Sequence, residues 1–184
     1  MEKLNIGIIL GSTRQGRLSP QVGKWVKEIC QQHKDANYEI LDIADYNLPF
    51  FGTGTEKEEG IIAWKKKLSS MDGFIFIVQE YNHSLTGALK NALDSAYEEW
   101  NDKAAGIVSY GSTGGARAAE HLRGGILGGE LSIATVRAHP TLSIFTDFTE
   151  FKVFKPADIH INYVTTMLSQ ILLWSKALKA VRKS

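Results

Sequence analysis

The sequence has a single cysteine, Cys30, among its 184 residues. One thiol excludes an internal disulfide framework and any metal site built from several cysteines. Before Gly11 there is only a short apolar run, which is too short for a signal peptide. No stretch approaches the ~18 apolar residues of a membrane span. These absences predict a reduced, cytoplasmic protein that makes no use of a membrane.

The sequence also lacks an excess of charge of either sign. Its 21 Lys and Arg residues against 20 Asp and Glu leave a formal net charge of +1. Such a balance provides no net field that would steer the protein towards nucleic acid or an anionic membrane. Hydrophobic residues make up 43% and charged residues 22%, as in soluble globular proteins. At about 150 residues per domain, the length predicts one domain, residues 1–184.

Apolar periodicity predicts five strands that alternate with helices. The predicted strands cover 4–10, 38–43, 74–78, 104–110 and 132–136. Helices are predicted at 22–30, 57–71, from Ser84 or Thr86 to Tyr97, at 116–127, and after Pro156 with Asp158 as N-cap. Residues 137–156 are predicted to be irregular. The alternation predicts an α/β protein, a three-layer α/β/α sandwich with a five-stranded parallel sheet in the flavodoxin-like order 2-1-3-4-5.

Several apolar side chains are assigned to buried helix faces by their spacing. Cys30 falls on such a stripe and is interpreted as a small buried hydrophobe, not a nucleophile. Ile61 and Ile62 are predicted to point inward from the second helix, as is Ile161 from the last. Trp100 is instead predicted as a dimer contact.

In such sheets ligands bind beyond the carboxyl ends of the strands, and the first loop there, 11–19, resembles a phosphate cradle. Gly11 permits a tight turn, Ser12 and Thr13 offer hydroxyl groups, and the next helix presents unpaired N–H groups. Arg14 adds a cation whose forked donors suit a phosphate. The spacing matches neither Walker A nor G-x-G-x-x-G, which disfavours a nucleoside triphosphate. The loop alone is equally consistent with a simple serine-capped helix.

Two further loops are predicted at the same edge. The polar run 79–84 ends the most apolar strand, so it exposes backbone donors, and Tyr81 supplies a flat face. His83 is interpreted as a surface histidine, because no other histidine lies at ligand spacing. The glycine-rich turn 111–115 lets the backbone approach a ring and aim N–H groups at it. Together the three loops describe a phosphorylated ligand with a flat ring, and FMN fits this description best.

The chain resembles the NADPH-dependent FMN reductase family of flavodoxin-like flavoproteins, which includes quinone, chromate and azo-dye reductases. The resemblance rests on Gly11-Ser12-Thr13-Arg14, on Glu80-Tyr81-Asn82-His83-Ser84 followed by Thr86 to Asp94, and on Tyr110-Gly111-Ser112-Thr113-Gly114-Gly115. It runs from residue 4 to residue 136. It implies FMN as cofactor, NADPH or NADH as electron donor, and a quinone, azo compound, free flavin or similar small acceptor. It also implies a homodimer or homotetramer with the flavin near a subunit interface.

The resemblance assigns roles to individual residues. Ser12 and Arg14 are expected to hold the FMN phosphate. Arg17 stands where many members have serine, so Ser19 or Gln21 is expected to take that contact. Many members also have a proline where this chain has Gln79. The full set of expected cofactor-binding residues is Gly11, Ser12, Thr13, Arg14, Ser19, Gln21, Gln79, Glu80, Tyr81, Asn82, Ser84, Tyr110, Gly111, Ser112, Gly114 and Gly115.

The flavin itself carries the redox chemistry, so no catalytic side chain and no metal is predicted. Hydride would pass from NAD(P)H to FMN, and the acceptor would then enter the same space, in a ping-pong sequence. Arg17 or Arg117 is a hypothesis for recognition of the NADPH 2′-phosphate. Two alternatives stay open: a flavodoxin-like electron carrier without NAD(P)H turnover, which the charge of +1 disfavours, and an α/β binding module without flavin.

Overall fold

All five predicted strands occur in the computed structural model, which describes residues 3–55 and 57–183. The strands are β1 Leu4–Leu10, β2 Ala36–Asp42, β3 Gly73–Gln79, β4 Lys103–Gly111, β5 Ile133–Thr135, β6 Thr141–Ser143, β7 Phe148–Thr149 and β8 Val153–Phe154. The helices are α1 Ser19–Cys30, α2 Glu59–Ser69, α3 Gly87–Asp94, α4 Ala116–Glu120 and α5 Ile159–Arg182. Short 3₁₀ turns lie at Ile43–Tyr46 and Glu98–Trp100, and a π-helical segment at His121–Gly128 follows α4 directly.

The central sheet is parallel and has the order β2-β1-β3-β4-β5, so the predicted fold is confirmed. In the register Leu10 lies beside both Asp42 and Ile77. The carboxyl ends of β1, β2 and β3 therefore finish at one edge, and the loops that follow them share that edge.

Alternate residues of each strand face two separate hydrophobic cores. Ile9, Phe74 and Phe76 pack with residues of α2, α3 and α4 on one face. Ile8 and Ile75 pack with residues of α1 and α5 on the other. Because helices cover both faces, the central strands are apolar throughout, as their sequence predicted.

The edge strand beside β4 is interrupted. β5 pairs with the first part of β4, at Lys103 to Ala105, and β6 with its last part, at Ser109 to Gly111. The opposite side of β4 is occupied by β3 along nearly its whole length. β5 and β6 are therefore two pieces of one edge, separated by residues 136–140. The segment predicted to be irregular thus contains β6 and a small antiparallel hairpin, β7–β8.

Four expectations for individual side chains need correction or refinement. Trp100 is fully buried, its indole N–H donates to the carbonyls of Leu93 and Ala96, and its ring contacts Trp64, so its prediction as a dimer contact is wrong. Ile62 and Ile161 are exposed rather than inward. Asp158 stands at the N-cap position of α5, but its side chain accepts no capping hydrogen bond.

Candidate functional site

The first two loops at the carboxyl edge are tied together at Gly11. Its N–H donates to the carbonyl of Ile77 in β3 at 3.0 Å. Its own carbonyl accepts from the Gln79 side-chain amide at 2.7 Å and from the hydroxyl of Thr86, the N-cap of α3. A side chain at position 11 would lie 2.8 Å from the Ile77 carbonyl, so only glycine permits this approach.

The loop after β1 presents its backbone donors and one cation. Ser12 is buried, and its hydroxyl accepts from the N–H of Arg14 at 3.3 Å, which curls the loop. No hydrogen bond within residues 3–55 and 57–183 uses the N–H groups of Thr13 or Gly16. Arg14 is exposed, and its guanidinium lies 6.0 Å from the centre of the Tyr81 ring. The loop therefore has the donors and the charge that an anionic group requires.

The loop after β3 folds back on itself in a tight turn. Tyr81 and Ser84 exchange two backbone hydrogen bonds of 2.9 and 2.8 Å. Asn82 and His83 between them have φ values of 46° and 66°, as the two central residues of a type I′ turn do. In the described part of the chain, nothing accepts from the N–H groups of these two residues. The turn thus aims two donors outward next to the half-exposed Tyr81 ring.

The loop after β4 is the glycine-rich turn. The N–H of Gly114 donates to the carbonyl of Gly111 at 3.2 Å, and Gly114 and Gly115 both have positive φ. A side chain at Gly115 would meet the Tyr110 backbone at 2.8 Å. Ser112, at the exposed tip of the turn, has an N–H that no described residue accepts.

Glu80 and Arg117 connect the second and third loops. The Glu80 N–H donates to the Tyr110 carbonyl at 3.0 Å, and its carboxylate pairs with Arg117. Arg117 also donates to Thr113 at 3.1 Å and lies 2.8 Å from Nε2 of His83. Burial alone would raise the pKa of Glu80. The hydrogen bonds from Arg117 and Ala118, together with the positive charge of Arg117, have the larger effect, so the pKa of Glu80 lies below its ordinary value. Glu80 is therefore ionised at neutral pH.

Of the predicted site residues, Gln21 is engaged elsewhere and the side chain of Tyr110 is buried. The Gln21 amide donates to the Lys152 carbonyl at 2.8 Å and accepts from the Phe154 N–H at 2.9 Å, which ties α1 to the β7–β8 hairpin. This arrangement leaves the predicted phosphate contact of Gln21 without support. The Tyr110 side chain is buried, packs on Phe148, and faces α1 beside Ser19. Its hydroxyl nevertheless lies close enough to Arg14, Arg17 and Tyr81 for these groups to influence its pKa, so the buried side chain borders the loop after β1.

Arg17 or Arg117 was a hypothesis for recognition of the NADPH 2′-phosphate, each being equally consistent with a solvated charge or a salt-bridge partner. Arg17 pairs with Asp42 at the end of β2, and Arg117 pairs with Glu80. Both charges are thus already balanced within the chain, and this arrangement offers neither as an unpaired cation.

The connection from β2 to α2 contributes a wall that the sequence reasoning missed. A cleft of about 540 Å³ lies between Thr13, Leu48 and Phe50 on one side and the start of α3, at Gly87 and Ala88, on the other. This volume is within the range of small-molecule sites. Phe50 is 75% exposed, which is unusual for an aromatic ring. The sequence feature that could have indicated this part of the cleft is the aromatic pair Phe50 and Phe51, which stands between turn residues.

No group of three or more His, Cys, Asp or Glu side chains in the described ranges could hold a metal ion. Among the helices of the same ranges, none combines the length and apolar character needed to cross a membrane.

Sequence comparison identifies relatives of this chain. The profile of the NADPH-dependent FMN reductase family matches residues 4–147. The chain belongs to this family. An NAD(P)H-dependent FMN reductase of Schizosaccharomyces pombe is 35% identical over 158 residues, covering 82% of this chain and 78% of the relative. A quinone reductase of Escherichia coli is 32% identical over 132 residues, covering 66% of this chain and 69% of the relative.

Structure comparison agrees on the fold. FerB, a flavoenzyme NAD(P)H:acceptor oxidoreductase from Paracoccus denitrificans, superposes with a TM-score of 0.74 at 18% identity, covering 95% of this chain and 98% of that one. As a member of the FMN reductase family, the protein is an oxidoreductase that depends on NAD(P)H and FMN. The predicted family, activity and cofactors are confirmed.

Proposed function

We propose that FMN binds across the three loops at the carboxyl edge of the sheet and that the protein uses it to reduce small quinone-type acceptors. The observation that carries the proposal is the contact between Arg14 and Tyr81. The guanidinium carbon of Arg14 lies 6.0 Å from the centre of the Tyr81 ring. This contact joins the cationic loop after β1 to the aromatic loop after β3. A ligand with a phosphate at one end and a flat ring at the other fits such a junction.

The loop after β1 suits the phosphate of FMN. Arg14 supplies a positive charge, and the N–H groups of Thr13 and Gly16 have no other acceptor in the described residues. The ion pair with Arg17 neutralises Asp42, a carboxylate at the same edge that would otherwise repel a phosphate. Ser12 holds the curl of the loop by accepting from the Arg14 N–H, and its own O–H hydrogen remains to be donated to the phosphate.

The other two loops suit the ring. The N–H groups of Asn82 and His83 point out of the type I′ turn, and that of Ser112 lies at the tip of the glycine turn. These donors match the ring oxygens and nitrogens of a flavin. The side chain of Tyr81 flanks them. Gln79 stabilises these loops by donating to the Gly11 carbonyl. Glu80 stabilises them by accepting from the Arg117 guanidinium.

When bound, FMN would supply the redox chemistry, namely acceptance of hydride from NAD(P)H and electron transfer to the acceptor. The residues described here bind and orient it, and no side chain is required as a general acid or base. Fixed backbone donors need no reorganisation as charge on the ring changes. We propose that NAD(P)H and the acceptor use the same exposed face of the flavin ring in turn, in a ping-pong sequence.

The proposal extends to assembly and location. The relatives named quinone reductase support a small-molecule acceptor. Phe50, Phe51 and Tyr97 are exposed on one side of the molecule and line a second cleft of about 470 Å³, which supports a homo-oligomer, dimer or tetramer, that covers them. We further propose that residues 1–184 form a single FMN-binding domain and that the enzyme is cytoplasmic, where NAD(P)H is available.

The test is a titration of the flavin-free protein with FMN, followed by anaerobic addition of NADPH to the complex. We expect one FMN per chain and immediate bleaching of the flavin bands. Steady NADPH oxidation should then require a quinone. A protein that takes up no flavin would remove the FMN site, and one whose flavin is not reduced by NADPH would instead be an electron carrier.

A further inference from the structure

A serine and a histidine lie directly beneath the glycine turn. Ser109 is fully buried near the end of β4, and its hydroxyl oxygen lies 2.6 Å from the Gly114 carbonyl oxygen and 2.8 Å from Nε2 of His139. His139 belongs to the segment 136–140, between β5 and β6. Neither residue belongs to the three loops of the candidate site, and neither is among the site residues predicted from the sequence.

The chemistry of the three groups determines the proton positions. A carbonyl oxygen only accepts, so the Ser109 hydroxyl donates its single hydrogen to Gly114. The same hydroxyl must then accept from His139, which carries its proton on Nε2. Burial, aided by the charge of Arg123, lowers the pKa of His139 to about 4, so the ring is neutral at neutral pH. The result is a directed chain from His139 to Ser109 to the Gly114 carbonyl.

The interruption of the edge strand allows this arrangement. Continuous pairing along β4 would place position 139 in a ladder, with its side chain above or below the sheet. Instead the Ser109 N–H donates to the Pro140 carbonyl at 3.1 Å, pairing resumes at Thr141, and His139 turns towards Ser109. Thr141 also limits the space at Gly114, where an added side chain would meet it at 2.9 Å.

The tethered turn presents the Ser112 N–H to the site. Fixing the Gly114 carbonyl onto β4 fixes the plane of the peptide that joins Gly114 to Gly115. Both glycines have a left-handed backbone conformation with φ of about 70°. Because glycine has wide conformational freedom, little free energy is needed for either residue to change to another conformation. The tether also keeps Gly114 in place, and the Gly114 N–H donates at 3.2 Å to the Gly111 carbonyl, which belongs to the peptide that carries the Ser112 N–H. The same carbonyl accepts from the Ile144 N–H at 3.1 Å.

We propose that His139 is a positioning residue for the flavin ring: acting through Ser109, it holds the 111–115 turn in the conformation that binds the ring edge. This inference rests on the proposed function, because it takes the turn to be part of the FMN site. His139 does not contact the ring itself.

The experiment compares three variants of the full-length protein by equilibrium binding of FMN, measured through flavin fluorescence. His139→Phe keeps a flat ring but removes the donor. His139→Gln restores a donor at a similar reach. Arg137→Ala changes an exposed neighbour in the same segment and serves as the control. The unfolding free energy of each flavin-free variant and the absorption spectrum of its bound flavin are recorded alongside.

We expect His139→Phe to weaken FMN binding about five- to tenfold, the usual effect of one net hydrogen bond, and to shift the flavin bands. His139→Gln should restore affinity to within about twofold, since it restores that bond. Arg137→Ala should match the wild type. If His139→Phe does not fold, Ser109→Ala removes the tether itself, the hydrogen bond to the Gly114 carbonyl, and should weaken FMN binding at least as much.

The outcomes separate the two proposals. Unchanged FMN affinity in His139→Phe, or equal weakening in the Phe and Gln variants, overturns the positioning role while the FMN site stands. A wild-type protein that binds no FMN overturns the proposed function, and the positioning role with it.

Discussion

Glu80 and Arg117 form an ion pair that joins the end of β3 to the first turn of α4. The side-chain Nε of Arg117 lies 2.6 Å from one carboxylate oxygen of Glu80. The backbone N–H of Arg117 donates to the other oxygen at 3.1 Å. Because Arg117 also contacts Thr113 and His83, one carboxylate organises two of the three loops at the site. Its role is electrostatic support of the loops, not chemistry.

The first prediction concerns acid stability. The net pKa of Glu80 is lowered in the folded state, although burial alone would raise it. The pair therefore stabilises the protein at pH values above the ordinary carboxyl pKa, and that contribution is lost as the pH falls through the folded pKa. Glu80→Gln should lower the unfolding free energy at pH 7 by about 1 kcal/mol, since Arg117 is partly exposed.

Denaturant unfolding at pH 7 and at acid pH measures this effect. The difference between Glu80→Gln and the wild type should shrink at the acid pH, because the wild type has then lost the pair as well. Asp94→Asn, in an exposed pair with Lys90, is the control and should change little at either pH. A difference that stays constant with pH would contradict the assignment.

The second prediction concerns the phosphate loop. Arg14→Ala should weaken FMN binding about ten- to a hundredfold, because charge-assisted hydrogen bonds to phosphate are the strong ones. Arg14→Lys should recover part of the loss, since it keeps the charge without the forked donors. Lys24→Ala removes an equal charge from the exposed side of α1 and should have little effect.

Binding titrations at low and high salt check the cause. The deficit of Arg14→Ala should become smaller at high ionic strength, because salt screens an exposed charge. If the variant binds FMN as tightly as the wild type, the phosphate lies elsewhere.

The central strands and their order followed from the sequence because each is a continuous apolar run ended by turn residues. β6, β7 and β8 were missed because segments of two or three residues have no measurable periodicity. The three loops were placed at one edge by topology alone. Which side chains face a ligand was not predictable, because that depends on neighbours distant in sequence, as Gln21 and its hairpin partner Lys152 show.

The burial of Trp100 was also beyond the sequence. Trp100 and Trp174 look alike as aromatic residues near helices, yet one is fully buried and the other is 44% exposed. The difference arises from packing between elements: Trp100 meets Trp64 of α2 and Phe74 of β3, which are 36 and 26 residues away along the chain. No local pattern carries that information.

The third prediction follows from this contrast. Trp100→Ala should lower the unfolding free energy by about 3–5 kcal/mol, because it leaves a cavity in the core and two carbonyls without their donor. Trp174→Ala, at an exposed site, should cost less than about 1 kcal/mol. Denaturant unfolding measures both. Equal, small losses would show that Trp100 does not belong to the core.

The fourth prediction concerns the only cysteine. Cys30 is fully buried at the end of α1, and burial raises the pKa of its thiol to about 12. The reactive thiolate is therefore scarce at pH 8, and reagents cannot reach it. We expect a disulfide reagent to leave the native protein unlabelled and to react with one thiol per chain in denaturant. Prompt labelling of the native protein would contradict this burial.

Replacement separates packing from chemistry at the same position. Cys30→Ala should retain NADPH oxidation with a quinone, because the thiol lies on the α1 side of the core, away from the three loops. Cys30→Ser should be less stable than Cys30→Ala, because it buries a hydroxyl among apolar side chains, which costs about 1–3 kcal/mol when the hydroxyl has no partner. Loss of turnover in a folded Cys30→Ala variant would instead give the thiol a part in the reaction.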